Sequence, residues 1–154
     1  MKTLTVTAVL LLMMVFFSCK TNQSSELSKT QEDNISIAKQ VYTYFNKHDW
    51  QGMAELYKET AEFKDPSFGQ ETVMQTRKQI VEKYKGLETM FPDVKDEIVN
   101  VYPSGEKNVI VEFISTGANN DGTRWKLPIC TIFTIEGGKI VKDYNYYDEN
   151  PAKK

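Results

Sequence analysis

The chain has 154 residues, a formal net charge of −2 and 12% aromatic residues, which suits a single domain with a core of its own. Lys and Arg are not clustered, so we expect no nucleic-acid partner. One histidine and two cysteines, Cys19 and Cys130, exclude a His-rich or thiolate metal site and a disulfide framework. We expect no metal and no cofactor, and we interpret Cys130 as a small buried hydrophobe.

The N-terminal residues have the pattern of an export signal. Lys2 precedes an apolar run over residues 4–17 that stops at Ser18 and Cys19, shorter than the roughly 20 residues of a membrane-spanning helix. Residues 11–19 resemble the lipobox of bacterial lipoproteins. That resemblance implies removal of residues 1–18, a lipid anchor on Cys19, and a periplasmic or outer-membrane location in the cell envelope. An ordinary signal peptide, cut nearby without lipidation, is the alternative.

Residues 19–32 are rich in Ser, Thr, Asn, Gln and Lys and lack aromatic residues. This composition predicts a flexible tether. A single folded domain is expected over residues 33–150.

Three amphipathic helices are predicted from apolar residues at three- and four-residue spacing. The first covers residues 33–45, and Asp49 is the predicted N-cap of the second, which carries apolar residues up to Tyr57. The third is expected to begin near Thr72 and to end before Phe91. Its predicted solvent-facing side chains are Lys78, Glu82, Lys83 and Lys85.

The segment 61–69 separates the second and third helices. It has strand character and is broken by Asp65 and Pro66. Proline fixes its own φ and biases the preceding residue toward extended conformations, so Asp65 should end a short strand at a rigid corner. Asp65 either caps a turn or presents its carboxylate to a binding pocket.

After residue 93 the period of the pattern changes to two, which predicts four antiparallel strands near residues 98–101, 109–114, 125–135 and 140–147, joined by hairpins. Helices followed by such a sheet predict an α+β fold in which the sheet curves over the helices. In the third of these strands the odd-numbered residues from Trp125 to Ile135 should face inward. The last strand has no purely apolar face, which suggests a partly polar cavity.

These features together resemble the cone-shaped superfamily of nuclear transport factor 2, ketosteroid isomerase and the SnoaL-like polyketide cyclases. The resemblance covers residues 35–148. The motifs that carry it are Asn46 to Asp49, Tyr57 to Gly69, Phe91 to Asp93, Gly138 to Ile140 and Tyr146 to Asp148. Such a fold hosts enzymes, binders and assembly subunits alike.

The resemblance to the isomerases implies that Asp65 is a general base. The same enzymes hold the enolate with a tyrosine and a protonated aspartate. Here Val41 stands at the tyrosine position, with Tyr42 beside it, and Thr131 stands at the aspartate position. Because both oxyanion donors are missing or weakened, steroid isomerisation is disfavoured.

The resemblance to the cyclases implies an acid on the last strand, after the Gly-Lys-Ile turn. Asp143 is the inward candidate and is assigned as a second catalytic carboxylate, whereas Asn145 departs from the acid expected near there. The alternative is that Asp143 is a surface acid paired with Lys142 or Lys126.

Three functions remain open. The first is binding of a small apolar or carbonyl-containing molecule in the cone. The second is an isomerase or cyclase that uses Asp65, and the third is a non-catalytic module that forms a homodimer through the sheet, with Tyr144 and Tyr146 on that surface. If Trp125, Phe133 and Tyr147 filled the cone, only the third would stand. The predicted ligand contacts are Tyr42, Phe45, Trp125, Leu127, Ile129, Thr131, Asn145 and Tyr147.

Overall fold

The computed structural model describes residues 27–148. The helices are α1 (Lys29–Phe45), α2 (Trp50–Ala54) and α3 (Arg77–Met90), and the strands are β1 (Tyr57–Lys64), β2 (Val73–Thr76), β3 (Lys95–Ser104), β4 (Asn108–Ala118), β5 (Arg124–Glu136) and β6 (Lys139–Tyr146). The proposed signal peptide, Cys19 and residues 19–26 of the tether lie outside the described residues. None of the helices within 27–148 has the length and apolar character needed to cross a bilayer.

Helix α1 begins earlier than its apolar pattern predicts. Ser28 accepts a hydrogen bond from the backbone of Gln31, whose side chain accepts one from the backbone of Ser28. This capping box satisfies two amide groups at the helix start. Asn34 then donates to the Glu106 carbonyl in the β3–β4 turn. Residues 29–32 are therefore helical, and assigning them to a flexible tether was wrong.

Helix α2 has Asp49 as its N-cap, as predicted, with the carboxylate accepting from the Gly52 amide. The helix ends at Ala54, and Tyr57 already begins β1. His48, at the bend before α2, has a φ of 54°. Its ring contacts Glu88 and the Val94 carbonyl, outside the cavity described below.

The predicted start of the third helix near Thr72 was wrong. Residues 73–76 form β2, which pairs antiparallel with β1. Thr76 is the N-cap of α3 and forms a capping box with Gln79. The helix can begin only after this cap because the Thr76 backbone is extended.

The six strands form one sheet in the order β2-β1-β6-β5-β4-β3. The three predicted hairpins join β3 to β6 in antiparallel register, whereas β1 pairs with β6 in parallel. The odd-numbered residues of β5 face inward, as predicted, and Thr131, Phe133 and Ile135 are buried. The sheet curves around the helices, so the α+β cone fold is confirmed.

The outer face of the sheet carries the two tyrosines assigned to a dimer surface. Tyr144 donates to Glu62, and Tyr146 keeps 44% of its surface exposed. Cys130, on the same face, is half-buried rather than part of the core. The homodimer stays a prediction.

Candidate functional site

A cavity of about 500 Å³ lies between the helices and the inner face of the sheet. Trp125, Phe133 and Tyr147 line it rather than fill it. Each of the ten residues predicted as catalytic or ligand-binding lies on its wall: Asp65, Asp143, Tyr42, Phe45, Trp125, Leu127, Ile129, Thr131, Asn145 and Tyr147. Their assigned roles stay predictions.

Asp65 lies at the corner between β1 and a short 3-10 turn. It both caps this turn and lines the pocket, so the two alternatives considered for it hold together. Its Oδ1 caps the turn by accepting from the Ser67 amide at 2.9 Å and the Ser67 hydroxyl at 2.6 Å. The same oxygen accepts from the Tyr147 hydroxyl at 2.7 Å. Its Oδ2 is 2.6 Å from Lys83 Nζ. The carboxylate is thus a turn cap that also lies on the pocket wall.

These donors decide the ionisation of Asp65. Burial by itself would raise the pKa of the carboxyl, but the Lys83 ammonium and the hydrogen bonds from Lys83, Ser67 and Tyr147 outweigh it, so the pKa lies below its ordinary value. A carboxylate held ionised by several donors has a low affinity for a further proton. Asp65 is therefore better placed to anchor charge than to remove a proton.

Lys83 was wrongly assigned to the solvent-facing side of the third helix. It keeps 21% of its side-chain surface, and its ammonium also lies 4.4 Å from the centre of the Phe68 ring. The spacing contained the signal for this: Lys83 is three residues after Ile80 and four before Leu87. Both belong to the buried face of α3, and residues at these spacings share a helix face.

Asp143 is a buried acid on β6, with 2% of its surface exposed. Its Oδ2 accepts from the Tyr57 hydroxyl at 2.6 Å, and its Oδ1 accepts from the Asn145 amide at 3.0 Å. The surface alternative was therefore wrong: Lys142 pairs with Glu62. Lys126 is exposed and pairs with no acid among the described residues.

Burial raises the pKa of Asp143 to about 6, against the lowering effects of Tyr57, Lys83 and Asn145, and the nearby charge of Asp65 adds to the rise. Asp65 and Asp143 thus have pKa values pushed in opposite directions. Environments that separate two carboxyl groups in this way suit one of them to carry charge and the other to exchange a proton.

The two positions that correspond to oxyanion donors differ from each other. Val41 offers no donor, and the Thr131 hydroxyl donates to Asn145. The hydroxyl of Tyr42 lies on the cavity wall close to Thr131, but it forms no well-made hydrogen bond with any described residue. The Tyr42 hydroxyl is thus available in this part of the pocket to donate to a ligand.

Two further wall or support residues were missed from the sequence. Tyr57, predicted as an apolar helix residue, holds Asp143. Asp96, on β3, also lines the cavity. Within residues 27–148 no group of three or more His, Cys, Asp or Glu side chains is placed to hold a metal ion.

The profile of the SnoaL-like domain matches residues 38–142. The chain belongs to the SnoaL-like domain family. Among curated protein sequences none matches it.

Solved structures share the SnoaL-like fold. A protein from Catenulispora acidiphila with a ketosteroid isomerase-like fold, in complex with trimethylamine, is 20% identical over 74% of this chain and 86% of its own, with a TM-score of 0.66. A protein from Jannaschia sp. CCS1, assigned to the SnoaL-like polyketide cyclases, is 19% identical over 80% and 90%, with a TM-score of 0.69. The epoxide hydrolase/cyclase-like enzyme SalBIII of salinomycin pyran ring formation is 21% identical over 78% and 94%, with a TM-score of 0.68. At these identities the likeness concerns the fold alone.

Proposed function

We propose that this SnoaL-like domain binds a small, largely apolar molecule in its cone, with a polar group of the ligand directed at the Asp65, Lys83 and Asp143 cluster. The supporting observation is the cavity itself, whose aliphatic and aromatic wall ends in a few convergent polar groups. That combination is typical of small-molecule sites, where apolar contact gives affinity and the polar groups fix orientation.

Occlusion of the cavity tests this proposal. Ile129 lies on the pocket wall, and an indole at that position would occupy ligand space. Ile129→Trp is expected to weaken binding of the fluorescent apolar probe N-phenyl-1-naphthylamine by about tenfold or more, because the indole would occupy the volume that the probe needs. A tenfold loss corresponds to about 1.4 kcal/mol of binding free energy. Ile132→Trp is the matched control, because Ile132 is paired with Tyr144 on the outer face of the same strand. Equal binding by wild type and Ile129→Trp would place the probe elsewhere and reject the proposal.

A second candidate is an isomerase or cyclase that moves a proton next to a carbonyl group. It is favoured by one observation: Asp143 is a buried carboxyl with a pKa of about 6, near the value that suits a general acid or base at neutral pH. In this version Asp143 exchanges the proton, while Asp65 and Lys83 hold a fixed charge pair beside it. An Asp143 carboxyl that stays ionised down to pH 4 would contradict this candidate.

We also propose that the domain is a lipoprotein of the bacterial envelope, anchored through Cys19. The support is the sequence pattern of residues 1–19, which lie outside the described residues. Intact mass spectrometry of the protein expressed with its leader in a bacterial host is expected to show loss of residues 1–18 and a diacylglycerol-modified Cys19. A mature chain that retains an unmodified Cys19 would reject the anchor. Cys19→Ser, processed or not, should lack the lipid mass.

A further inference from the structure

Three buried polar atoms lack a hydrogen-bond partner among the described residues: Tyr42 Oη, Asp96 Oδ1 and Trp125 Nε1. All three residues line the same cavity. A buried polar group without a partner is costly, and native proteins leave few of them. Three such atoms on one cavity wall are therefore available to hydrogen-bond a molecule in the cavity.

Asp96 and Trp125 lie next to each other in the register of the sheet. Asp96 is paired with Ser115 on one side of β4, and Trp125 is paired with Gly117 on the other. Residues two apart on a strand share a face, and cross-strand partners share that face too. Both side chains therefore project into the cavity from neighbouring positions; we call this place the Asp96 subsite.

The indole of Trp125 lies close to the β4 backbone at Gly117. A Cβ on Gly117 would be 2.5 Å from Trp125 Cζ2, so only glycine permits this approach. Phe91 packs edge-on against the indole, with ring centres 5.1 Å apart. The subsite thus combines a carboxyl group with aromatic rings, and both Phe91 and Trp125 line the cavity.

The Asp96 subsite is separate from the polar cluster described above. Asp143 is level with Phe133 and Val109, whereas Asp96 is level with Ser115. Six residues of strand separate these two levels of β4, about 20 Å along an extended chain. Asp96 and Asp143 therefore lie at different levels of the cavity wall, although the hydroxyls of Tyr42 and Tyr84 feel the charge of both.

The three acids that line the pocket differ in the groups that pair with or hydrogen-bond their carboxylates. Asp65 is paired with Lys83, and Asp143 accepts from Tyr57 and Asn145. Asp96 has no ion pair among the described residues. Ser115 lies close enough to lower its pKa in part, but its Oδ1 has no well-made hydrogen bond. An acid with an open oxygen beside aromatic faces is the combination that attracts a cation.

We infer that the Asp96 subsite binds a protonated amine carried by the ligand. This rests on the proposed ligand-binding function and narrows its ligand to an apolar molecule with a basic nitrogen at one end. The ammonium group would donate to Asp96 Oδ1 and contact the rings of Phe91 and Trp125. The unpartnered Trp125 N–H and Tyr42 hydroxyl remain to donate to an acceptor atom of the same ligand.

The ionisation of Asp96 agrees with this assignment. Burial raises the pKa of Asp96 to about 7, and Ser115 on β4 lowers it in part. The titratable groups on the cavity wall around it are the hydroxyls of Tyr42 on α1 and Tyr84 on α3, both of which feel its charge, and the ammonium group of Lys126 on β5. Bound ammonium would stabilise the carboxylate. Amine affinity should therefore rise with pH through about 7, as Asp96 loses its proton, and level off above it.

Calorimetry with octylamine and octan-1-ol tests the amine assignment separately from the proposed apolar pocket, because these probes share an alkyl chain and differ only in the head group. At pH 8 wild type is expected to bind the amine at least about tenfold more tightly than the alcohol, the margin of a charge-assisted hydrogen bond over a neutral one. Asp96→Asn should reduce this preference to about twofold or less while octanol binding is unchanged. Glu97→Gln, on the exposed face of the same strand, removes the same charge and should keep the preference.

Three other results are possible, and each of them rejects the amine assignment. Equal binding of amine and alcohol by wild type would overturn the amine assignment and leave the apolar pocket standing. An amine preference that persists in Asp96→Asn would also overturn it, because the ammonium would then lie elsewhere. Failure of both probes to bind would overturn the assignment together with the proposed function.

Discussion

Replacing Lys83 with methionine is expected to lower the free energy of unfolding at pH 7 by about 3 kcal/mol. Removing one partner of a buried ion pair costs about 3–5 kcal/mol, because the other charge is left buried without compensation. We expect a loss at the low end of this range because 21% of the Lys83 side-chain surface is exposed to solvent, against 8% for Asp65. Urea denaturation followed by circular dichroism measures the loss. Methionine keeps the length and apolar stem of lysine, so the change isolates the ammonium group.

Lys85→Met is the matched control, because Lys85 is an exposed residue of the same helix. Its unfolding free energy should stay within about 0.5 kcal/mol of wild type. A loss of similar size in both variants would show that the Lys83 effect is not specific to Asp65.

The effect of Lys83→Met also has a defined pH dependence. In wild type the pKa of Asp65 lies below its ordinary value, so the stabilisation is present above the unfolded-state pKa of about 3.9 and is lost as pH falls through the folded value. The gap in stability between wild type and variant should therefore be widest near neutral pH and narrow below about pH 4. A gap that is independent of pH would assign the loss to packing rather than to charge.

Local signals predicted most of this fold because they act within a few residues. Asp49 caps α2, and glycine turns such as Gly137 and Gly138, both with positive φ, close the hairpins. Period-two alternation placed Trp125, Thr131 and Phe133 on one face. Caps, turns and strand periodicity depend on neighbouring side chains, so a single sequence contains them.

The errors in the predicted helix and strand patterns arise from pairing between strands that are far apart in the sequence. Residues 73–76 are too few to distinguish a strand from the first turn of a helix, and they are a strand because β1 lies beside them. In β6 the register shifts between its pairing at Ile140 and at Lys142. Both Ile140 and Asp143 are therefore buried, which strict alternation cannot produce.

The candidate site was predicted in part for the same reason. Asp65 and Asp143 could be found from their positions on a corner and a strand. Their partners could not: Tyr57 is 86 residues from Asp143 along the chain, and Asp65 takes Lys83 from a helix whose polar residues suggested a solvent face. The roles of two similar carboxyl groups depend on these partners, so it was the resemblance to the isomerases that favoured Asp65 as the base.

Asp143→Asn is expected to remove a pH-dependent loss of stability that wild type shows between about pH 4 and pH 7. Burial raises the pKa of Asp143 to about 6 in the folded chain, whereas the unfolded chain has a value near 3.9. Between these values the folded state holds a proton that the unfolded state has lost, so stability falls as pH rises. A shift of about two units corresponds to about 3 kcal/mol.

The measurement is the free energy of unfolding of both proteins in urea at half-unit steps of pH. Wild type minus variant should fall by up to about 3 kcal/mol from pH 4 to pH 7. Asp96, which titrates near pH 7, is present in both and cancels. Asp121→Asn is the control: a hydrogen bond from the Thr123 amide lowers the pKa of this exposed acid. Its effect on stability therefore changes mainly below about pH 4, and wild type minus this variant should stay nearly constant from pH 4 to pH 7. Parallel curves for wild type and Asp143→Asn would mean that Asp143 is ionised throughout, and the proton-transfer candidate would fall with it.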